Sequence, residues 1–299
     1  MQWEKIGLIF CPNNEYAWMH THAAVPIAEQ LDGDVYKIYF SSRDVHGRSY
    51  TTYIVINILN PKKILEISSA PILSPGKLGS FDEDGAMGSW LTKNNDENFL
   101  YYIGWNRANS VPFRNSIGLS SSHFGSFHKL GPGPILDRTK DEPFFCASSC
   151  VIKEGPLWRM WYLSCTDWLE EKSKIKHKYH IKYAESSDGI QWDRRGHVAI
   201  DFLNESEYAI SRPSVIKDQN IWKMWYSYRG DFYKIGYAES LDGITWSRID
   251  KQLGLEPSNT GWDSEMVEYP FVFQHHGTYY MLYNGNDYGR SGFGCALLK

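Results

Sequence analysis

The sequence predicts an all-β fold: a five-bladed β-propeller built as one domain over residues 1–299, and three observations carry that reading. Two blocks recur in the same order. Trp158–Tyr162 (WRMWY) precedes Ile181–Trp192 (IKYAESSDGIQW), and Trp222–Tyr226 (WKMWY) precedes Ile235–Trp246 (IGYAESLDGITW). A recurrence over tens of residues marks an array of like units. Aromatic residues make up 15% of the chain, with 12 Trp and 20 Tyr, and such side chains suit the pleated, half-buried surface of a strand. Finally, the last copy of the repeat lacks a fourth strand, while the N-terminus carries a segment that resembles one.

Each copy reads as four short strands separated by Gly, Asn, Asp and Pro clusters. The first copy comprises HAAVPI (His22–Ile27), VYKIYFSS (Val35–Ser42), YTTYIVI (Tyr50–Ile56) and KILEISS (Lys63–Ser69). The second comprises GSWLTK (Gly88–Lys93), FLYYIGW (Phe99–Trp105), SIGLSSS (Ser116–Ser122) and SFHKLG (Ser126–Gly131). SSCVIK (Ser148–Lys153), WRMWYLS, IKYAES and QWDRRG form the third. RPSVIK (Arg212–Lys217), WKMWYSY (Trp222–Tyr228), IGYAES and TWSRI (Thr245–Ile249) form the fourth. The fifth has EYPFVF (Glu268–Phe273), TYYMLYNG (Thr278–Gly285) and GFGCALL (Gly292–Leu298), and the chain then ends. QWEKIG (Gln2–Gly7) matches the fourth-strand pattern, so the N-terminal strand is expected to complete the last blade and close the ring. Five units over 299 residues give about sixty residues each, toward the long end of propeller repeats.

Composition narrows the function. A formal net charge of -4 argues against bulk nucleic-acid binding, which leans on a basic surface. No apolar run is long enough to span a bilayer, and the start does not look like a signal peptide. The five cysteines show no metal-ligand spacing and read as buried thiols in a reducing compartment, so a cytoplasmic location is expected. No compact ligand motif is visible, and neither a metal nor a cofactor is expected.

In a propeller the first strand of each blade lines the central channel, and the turn after the second strand lies at the same end. Polar side chains concentrate at those positions. The first strands begin with His22, Asp84, Ser148, Arg212, Glu265 and Glu268. The second strands end near Arg43, Trp105, Arg107, Asp167, Arg229 and Asn284. This end of the channel is the expected ligand pocket. Asp188-Gly189 and Asp242-Gly243, by contrast, read as turn chemistry, with glycine taking positive φ. The repeated tryptophans read as packing between blades, and His275 and His276 as solvated turn residues on the opposite face.

The pattern of five blades with carboxylates at first-strand starts resembles the glycoside hydrolase superfamily of arabinanases, invertases and levansucrases (families 43, 32, 68, 117 and 130). FDEDGAMGSW resembles the invertase segment in which Asp-x-Asp-Gly leads into a strand. VEYPFVF resembles the invertase Glu-Cys-Pro segment. SRPSVI resembles the Arg-Asp-Pro segment without its acid. The resemblance implies an enzyme that cleaves or transfers a glycosidic bond with Glu268 as general acid. The first-blade acid of those enzymes has no counterpart in HTHAAVP, and Asp84 is the expected second carboxylate by position. Glycosidic cleavage needs a proton for the leaving oxygen and a second carboxylate that either activates water or attacks the anomeric carbon. Glu265 could raise the Glu268 pKa as a neighbouring negative charge.

Arg43, Arg107, Arg114, Arg212, Arg229 and Arg290 all map to the pocket end. Arginine pairs bidentately with carboxylate or phosphate, so the ligand is expected to be a carbohydrate, an anionic sugar in particular. Pairing with Asp44, Asp231 and Asp287 is the competing expectation. Hydrolysis leads, with phosphorolysis or transfer next. A sugar-binding propeller without catalysis and a protein-interaction propeller are the remaining alternatives.

Overall fold

The computed structural model of the chain describes residues 2–123, 125–171 and 174–299. After β1 (Trp3–Phe10), the strands follow one another as antiparallel meanders. The first is β2 (Thr21–Asp32), β3 (Val35–Arg43), β4 (Ser49–Asn57) and β5 (Asn60–Ile67). The second is β6 (Gly85–Asn94), β7 (Glu97–Arg107), β8 (Phe113–His123) and β9 (Ser126–Lys129). The third is β10 (Cys146–Glu154), β11 (Leu157–Glu171), β12 (Lys174–Ser186) and β13 (Val198–Ile200). The fourth is β14 (Ala209–Asp218), β15 (Ile221–Arg229), β16 (Tyr233–Ser240) and β17 (Ser247–Arg248), followed by the one-turn helix α1 (Asp250–Leu253). The last has β18 (Glu268–His275), β19 (Thr278–Asn284), the kinked turn α2 (Asn286–Gly289) and β20 (Phe293–Leu298).

The chain's two ends meet in one sheet of order β1-β20-β19-β18, with Trp3 opposite Leu298. The other meanders are joined two by two through single parallel pairings, Ser49 with Gly85 and Tyr179 with Ala209. The first strands touch in cyclic order: β2, β6, β10, β14, β18 and back to β2. Among the described residues, no helix is long and apolar enough to cross a membrane.

The repeated sequence blocks do the packing. Trp222, Met224, Trp225 and Tyr226 are all buried, because a strand sandwiched between neighbours buries both faces and reads as a near-continuous apolar run. Adjacent meanders are stitched at the Asp-Gly turns: Trp161 Nε1 donates to the Gly243 carbonyl at 2.8 Å, and the Tyr101 hydroxyl to the Gly189 carbonyl at 2.8 Å. Gly189 has a φ of 75°, and a Cβ there would come within 2.9 Å of the Trp158 ring and the Tyr101 hydroxyl. Glycine is required there by both conformation and space. All five cysteines are free thiols, four of them buried.

The fold departs from the sequence reading at QWDRRG, at the β11–β12 hairpin and at His275. QWDRRG is not a strand; the fourth strand of its meander is Val198–Ile200, and only an isolated bridge joins Glu185 to Asp193. β11 and β12 run well past the sheet, pairing as far as Glu171 with Lys174. Asp167 and Trp168 therefore stand on an extended ribbon rather than in a tight turn. His275 is buried, with 5% exposure: its ring is held between Tyr36 and Asp34, so it is not a solvated turn residue.

Each first strand is also interrupted near its start. The register slips between Ala24 and Ile27, Gly88 and Trp90, Ala147 and Cys150, Ser211 and Ser214, and Glu268 and Phe271. Val25, Ser148, Arg212 and Tyr269 occupy four of these bulges with φ between 44° and 57°. In three of them proline follows (Pro26, Pro213, Pro270), and proline lacks the N–H a ladder needs. Bulges of this kind re-aim side chains, and here Val25, Ser148 and Tyr269 meet at one end of the molecule.

Candidate active site

At that end lies a cavity of about 420 Å³. The bulged first strands contribute Val25, Met87, Ala147, Ser148, Ser211 and Tyr269. Second strands contribute Arg43, Ile103, Trp105 and Leu163, and third strands contribute Phe113, Asn115, His177 and Tyr179. Phe145 and Tyr288 complete the wall. A larger hollow of about 650 Å³ lies beside β1 and α1, but Lys5 on its wall is already bound to Asp263 at 2.8 Å, and no cluster of reactive groups faces it among the described residues. One side of the smaller cavity is aromatic: Phe113 and Phe145 lie 5.6 Å apart, Trp168 lies 5.4 Å from Phe145, and His177 stacks on Tyr179 at 4.9 Å. The extended β11–β12 ribbon carries Trp168, His177 and Tyr179 into this wall.

Glu268 stands beside the cavity, next to the wall residue Tyr269. It is fully buried, and neither carboxylate oxygen has a hydrogen-bond partner among the described residues. Burial pushes its pKa well above the usual carboxylate range, against a smaller opposing pull from Arg229. An ionised carboxylate with no partner is very costly to bury, so the group neutralises instead. Tyr179, Tyr233 and Tyr269 all lie within electrostatic reach of it, and the Tyr179 and Tyr233 hydroxyls bond to each other. Ser211, which occupies the corresponding position of the preceding meander and lines the cavity, also has an unpartnered hydroxyl.

Three arginines at this end of the molecule lack a salt-bridge partner among the described residues, and one of them, Arg229, acts electrostatically on Glu268. Arg43 is half-buried on the cavity wall. Burial pulls its pKa down, and the Tyr269 phenol works the other way. Arg229 donates to the Tyr288 hydroxyl at 2.7 Å and lies over the Tyr208 and Tyr233 rings, with its Nε unpartnered. Arg212 is fully buried and spans the channel, donating to the Ser89 carbonyl and, at 3.0 Å, to the Pro26 carbonyl; burial lowers its pKa to about 9. It ties three first strands together instead of pairing with Glu268. Two histidines nearby are held neutral. His22 is lowered to about 3 by burial, then by Arg43 and Arg290, and His177 to about 4 by burial, then by Arg229.

The remaining expected site residues divide clearly. Trp105 and Ser148 line the cavity, with Trp105 Nε1 donating to the Ser49 hydroxyl at 3.1 Å. Asp84 and Arg107 do not line it. The Asp84 carboxylate accepts the Arg107 backbone N–H at 2.7 Å and sits 3.2 Å from that arginine's guanidinium, so it is spent on a rim ion pair. Asp167 is exposed and bonds the Trp168 N–H at 2.8 Å. Glu265 is exposed too, and the Glu268 shift comes from burial, not from a neighbouring negative charge. Asn284 is fully buried and bridges the Val25 N–H with the Ala23 and Gly292 carbonyls at 2.7–2.8 Å, a strand-joining role. Asp44 pairs with Arg48 rather than with any of the six pocket-end arginines. Arg114 and Arg290 are exposed.

The sequence reading missed Tyr269, Tyr179, Tyr288 and His177. Tyr269 had a local signal, since residue-Pro pairs recur at Val25-Pro26, Arg212-Pro213 and Tyr269-Pro270 and mark the bulges. His177 and Tyr179 had none, because a continuous hairpin ribbon and a strand ending in a turn read alike.

No protein-family model matches the chain. Over 300 aligned residues, 100% of both chains, it is 40% identical to Uncharacterized protein MT1551 and to Uncharacterized protein Rv1502 of Mycobacterium tuberculosis. Among solved structures, BT0996 in its RGII complex superimposes with a TM-score of 0.78 at 18% identity, over 99% of this chain and 91% of that one. A thermostable family-43 glycoside hydrolase gives a TM-score of 0.67 at 16% identity, over 93% and 89%. The Bombyx mori GH32 β-fructofuranosidase BmSUC1 gives 0.61 at 14%, over 93% and 61%. The fold is thus that of the propeller glycoside hydrolases, and the chain belongs to the same family as the mycobacterial proteins MT1551 and Rv1502.

Proposed function

We propose that this chain is a carbohydrate-active enzyme that cleaves or transfers a glycosidic bond in the 420 Å³ cavity, with Glu268 as general acid. In this reading the meanders are the five blades of a single propeller domain, closed by β1, working in the cytoplasm. The observation that carries the proposal is the Glu268 carboxyl: fully buried, unpartnered at both oxygens and beside a partly aromatic cavity. A carboxyl kept protonated at neutral pH is what donation to a leaving glycosidic oxygen needs. Aromatic faces such as Trp105 suit the apolar face of a sugar ring.

Arg43 supports an anionic substrate. It lines the cavity, it is half-buried, and no protein carboxylate among the described residues neutralises it. No Asp or Glu lines the described cavity wall, Glu268 itself standing behind Tyr269, and no second carboxylate acts on Glu268; this favours phosphorolysis or transfer over hydrolysis. A phosphate or an acceptor brings its own nucleophilic oxygen, whereas water needs a second carboxylate as base. The same observation is what a sugar-binding propeller without catalysis would show.

The test is turnover by wild type and Glu268→Gln on oligosaccharides with poor leaving groups, with and without inorganic phosphate, alongside ligand affinity. General acid catalysis is worth about 10²–10⁴-fold. A loss of that size with affinity retained supports the assignment, and phosphate dependence identifies phosphorolysis. Wild-type turnover in Glu268→Gln would remove Glu268 from the chemistry. Binding without turnover by the wild type would leave a lectin-like module.

A further inference from the structure

At the far ends of β2 and β18, away from the cavity, three side chains converge that the proposed reaction does not use. The β18–β19 hairpin turns through His276 and Gly277, with φ of 47° and 77°. That left-handed turn places two consecutive histidines with their ring centres 4.1 Å apart. Asp34, from the β2–β3 turn, points at both: its Oδ1 is 2.9 Å from His275 Nε2 and 3.5 Å from His276 Nε2. The three donor atoms lie within 4.8 Å of one another.

We propose that Asp34, His275 and His276 form a divalent-metal site, zinc by its donor set, that clips the first meander to the last. Two imidazoles and one carboxylate suit zinc, whereas magnesium and calcium favour all-oxygen sets. Tetrahedral zinc with bonds of about 2.0–2.1 Å places its donors roughly 3.3 Å apart, and the two donor separations at Asp34 bracket that value. The outer shell is present as well: the Tyr36 hydroxyl lies 3.0 Å from His275 Nδ1. With Nδ1–H donating to that hydroxyl, Nε2 is free to bind metal, an arrangement that orients ligating histidines elsewhere.

A plain hydrogen bond to Asp34 accounts for His275. It does not account for His276, whose side chain is 76% exposed yet turns Nε2 toward the same oxygen. The ligands run from a buried histidine outward to an exposed one, which leaves the fourth position open to water. Asp34 and His275 are 241 residues apart, so bound metal would tie the two ends of the strand array together.

The experiment is zinc titration of chelator-stripped full-length chain by calorimetry, with cobalt absorption reporting geometry, in wild type, His276→Ala and Asp34→Asn. The expected result is one equivalent of zinc per wild-type chain with a tetrahedral cobalt spectrum. Affinity should fall at least tenfold in each variant, and added zinc should raise the melting temperature of wild type more than that of His276→Ala at the same zinc concentration. His276 is exposed, so its removal leaves the fold intact. Absence of stoichiometric zinc binding by the wild type overturns the site. Equal affinity in His276→Ala also overturns it, because the metal then lies elsewhere.

Discussion

The third and fourth meanders are nearly the same at one end and quite different at the other. At the Asp-Gly turns the serine and aspartate hydrogen bonds match, although Trp246 Nε1 bonds the Gly243 carbonyl and the equivalent Trp192 Nε1 has no partner among the described residues. Ser186 donates to Asp188 and Ser240 to Asp242, both at 2.9 Å. Asp188 Oδ1 then accepts the Ile190 and Gln191 N–H groups at 2.8 Å, as Asp242 Oδ1 accepts those of Ile244 and Thr245 at 2.7 and 2.8 Å. At the cavity end, Ser148-Ser149 in one strand faces Arg212-Pro213 in the next. β11 and β12 extend into a long aromatic ribbon, where β15 and β16 are joined by a short turn. The repeated end solves one packing problem several times; the varied end is where side chains meet one another or a ligand. Variation alone does not make a residue functional, however. Arg212 and Asn284 are both polar and both at the cavity end, yet their bonds go to backbone groups of other strands. Glu268 is distinguished by having neither oxygen hydrogen-bonded.

The contrast can be broken first in the repeated part. Trp161 is fully buried and bonds across to the next turn, so Trp161→Ala should cost about 3–5 kcal/mol in denaturant unfolding. A loss below about 1 kcal/mol, well under that range, would mean that the repeated tryptophans are not the frame. At the varied end, Arg43→Met should weaken a sugar phosphate or uronate about 10- to 100-fold, the worth of a charged hydrogen bond, while neutral sugars bind unchanged. Equal weakening of both would make Arg43 a wall residue only. The smallest effect belongs to the turn aspartates. Hydrogen bonds from backbone N–H groups and Ser240 hold the Asp242 pKa below its usual value, outweighing a first, opposing contribution from burial. Its contribution is therefore present above the unfolded pKa of about 3.9 and is lost as pH falls through the folded value. Asp242→Ala should cost about 0.5–1 kcal/mol at neutral pH, a gap that closes in acid. A gap that persists in acid would assign the cost to the turn's shape, not to its charge.

Much of the strand order was legible because the repeated blocks use the same residues for the same contacts. Gln2–Gly7 looked like a fourth strand, and the pairing of β1 with β20 places it in the last sheet. VEYPFVF singled out Glu268 as the expected general acid, and the structure buries that side chain with both oxygens unpartnered among the described residues. The rest was hidden for physical reasons. Asp84 follows the strand-start pattern, but nothing local shows that Arg107, 23 residues away, will neutralise it. QWDRRG has strand-like residues, yet sheet pairing is decided by neighbours, and Val198–Ile200 takes the place beside β12. His275 looked exposed because a turn usually is; Tyr36 and Asp34, distant in sequence, cover it.

Everything proposed for the cavity depends on Glu268 being a neutral acid beside it at neutral pH. Infrared difference spectroscopy between wild type and Glu268→Gln measures this directly. The expected result is a protonated-carboxyl C=O band at neutral pH in the wild type, absent in the variant and shifted by a sugar bound in the cavity. A spectrum showing only ionised carboxylate at that position, with no response to ligand, would contradict it.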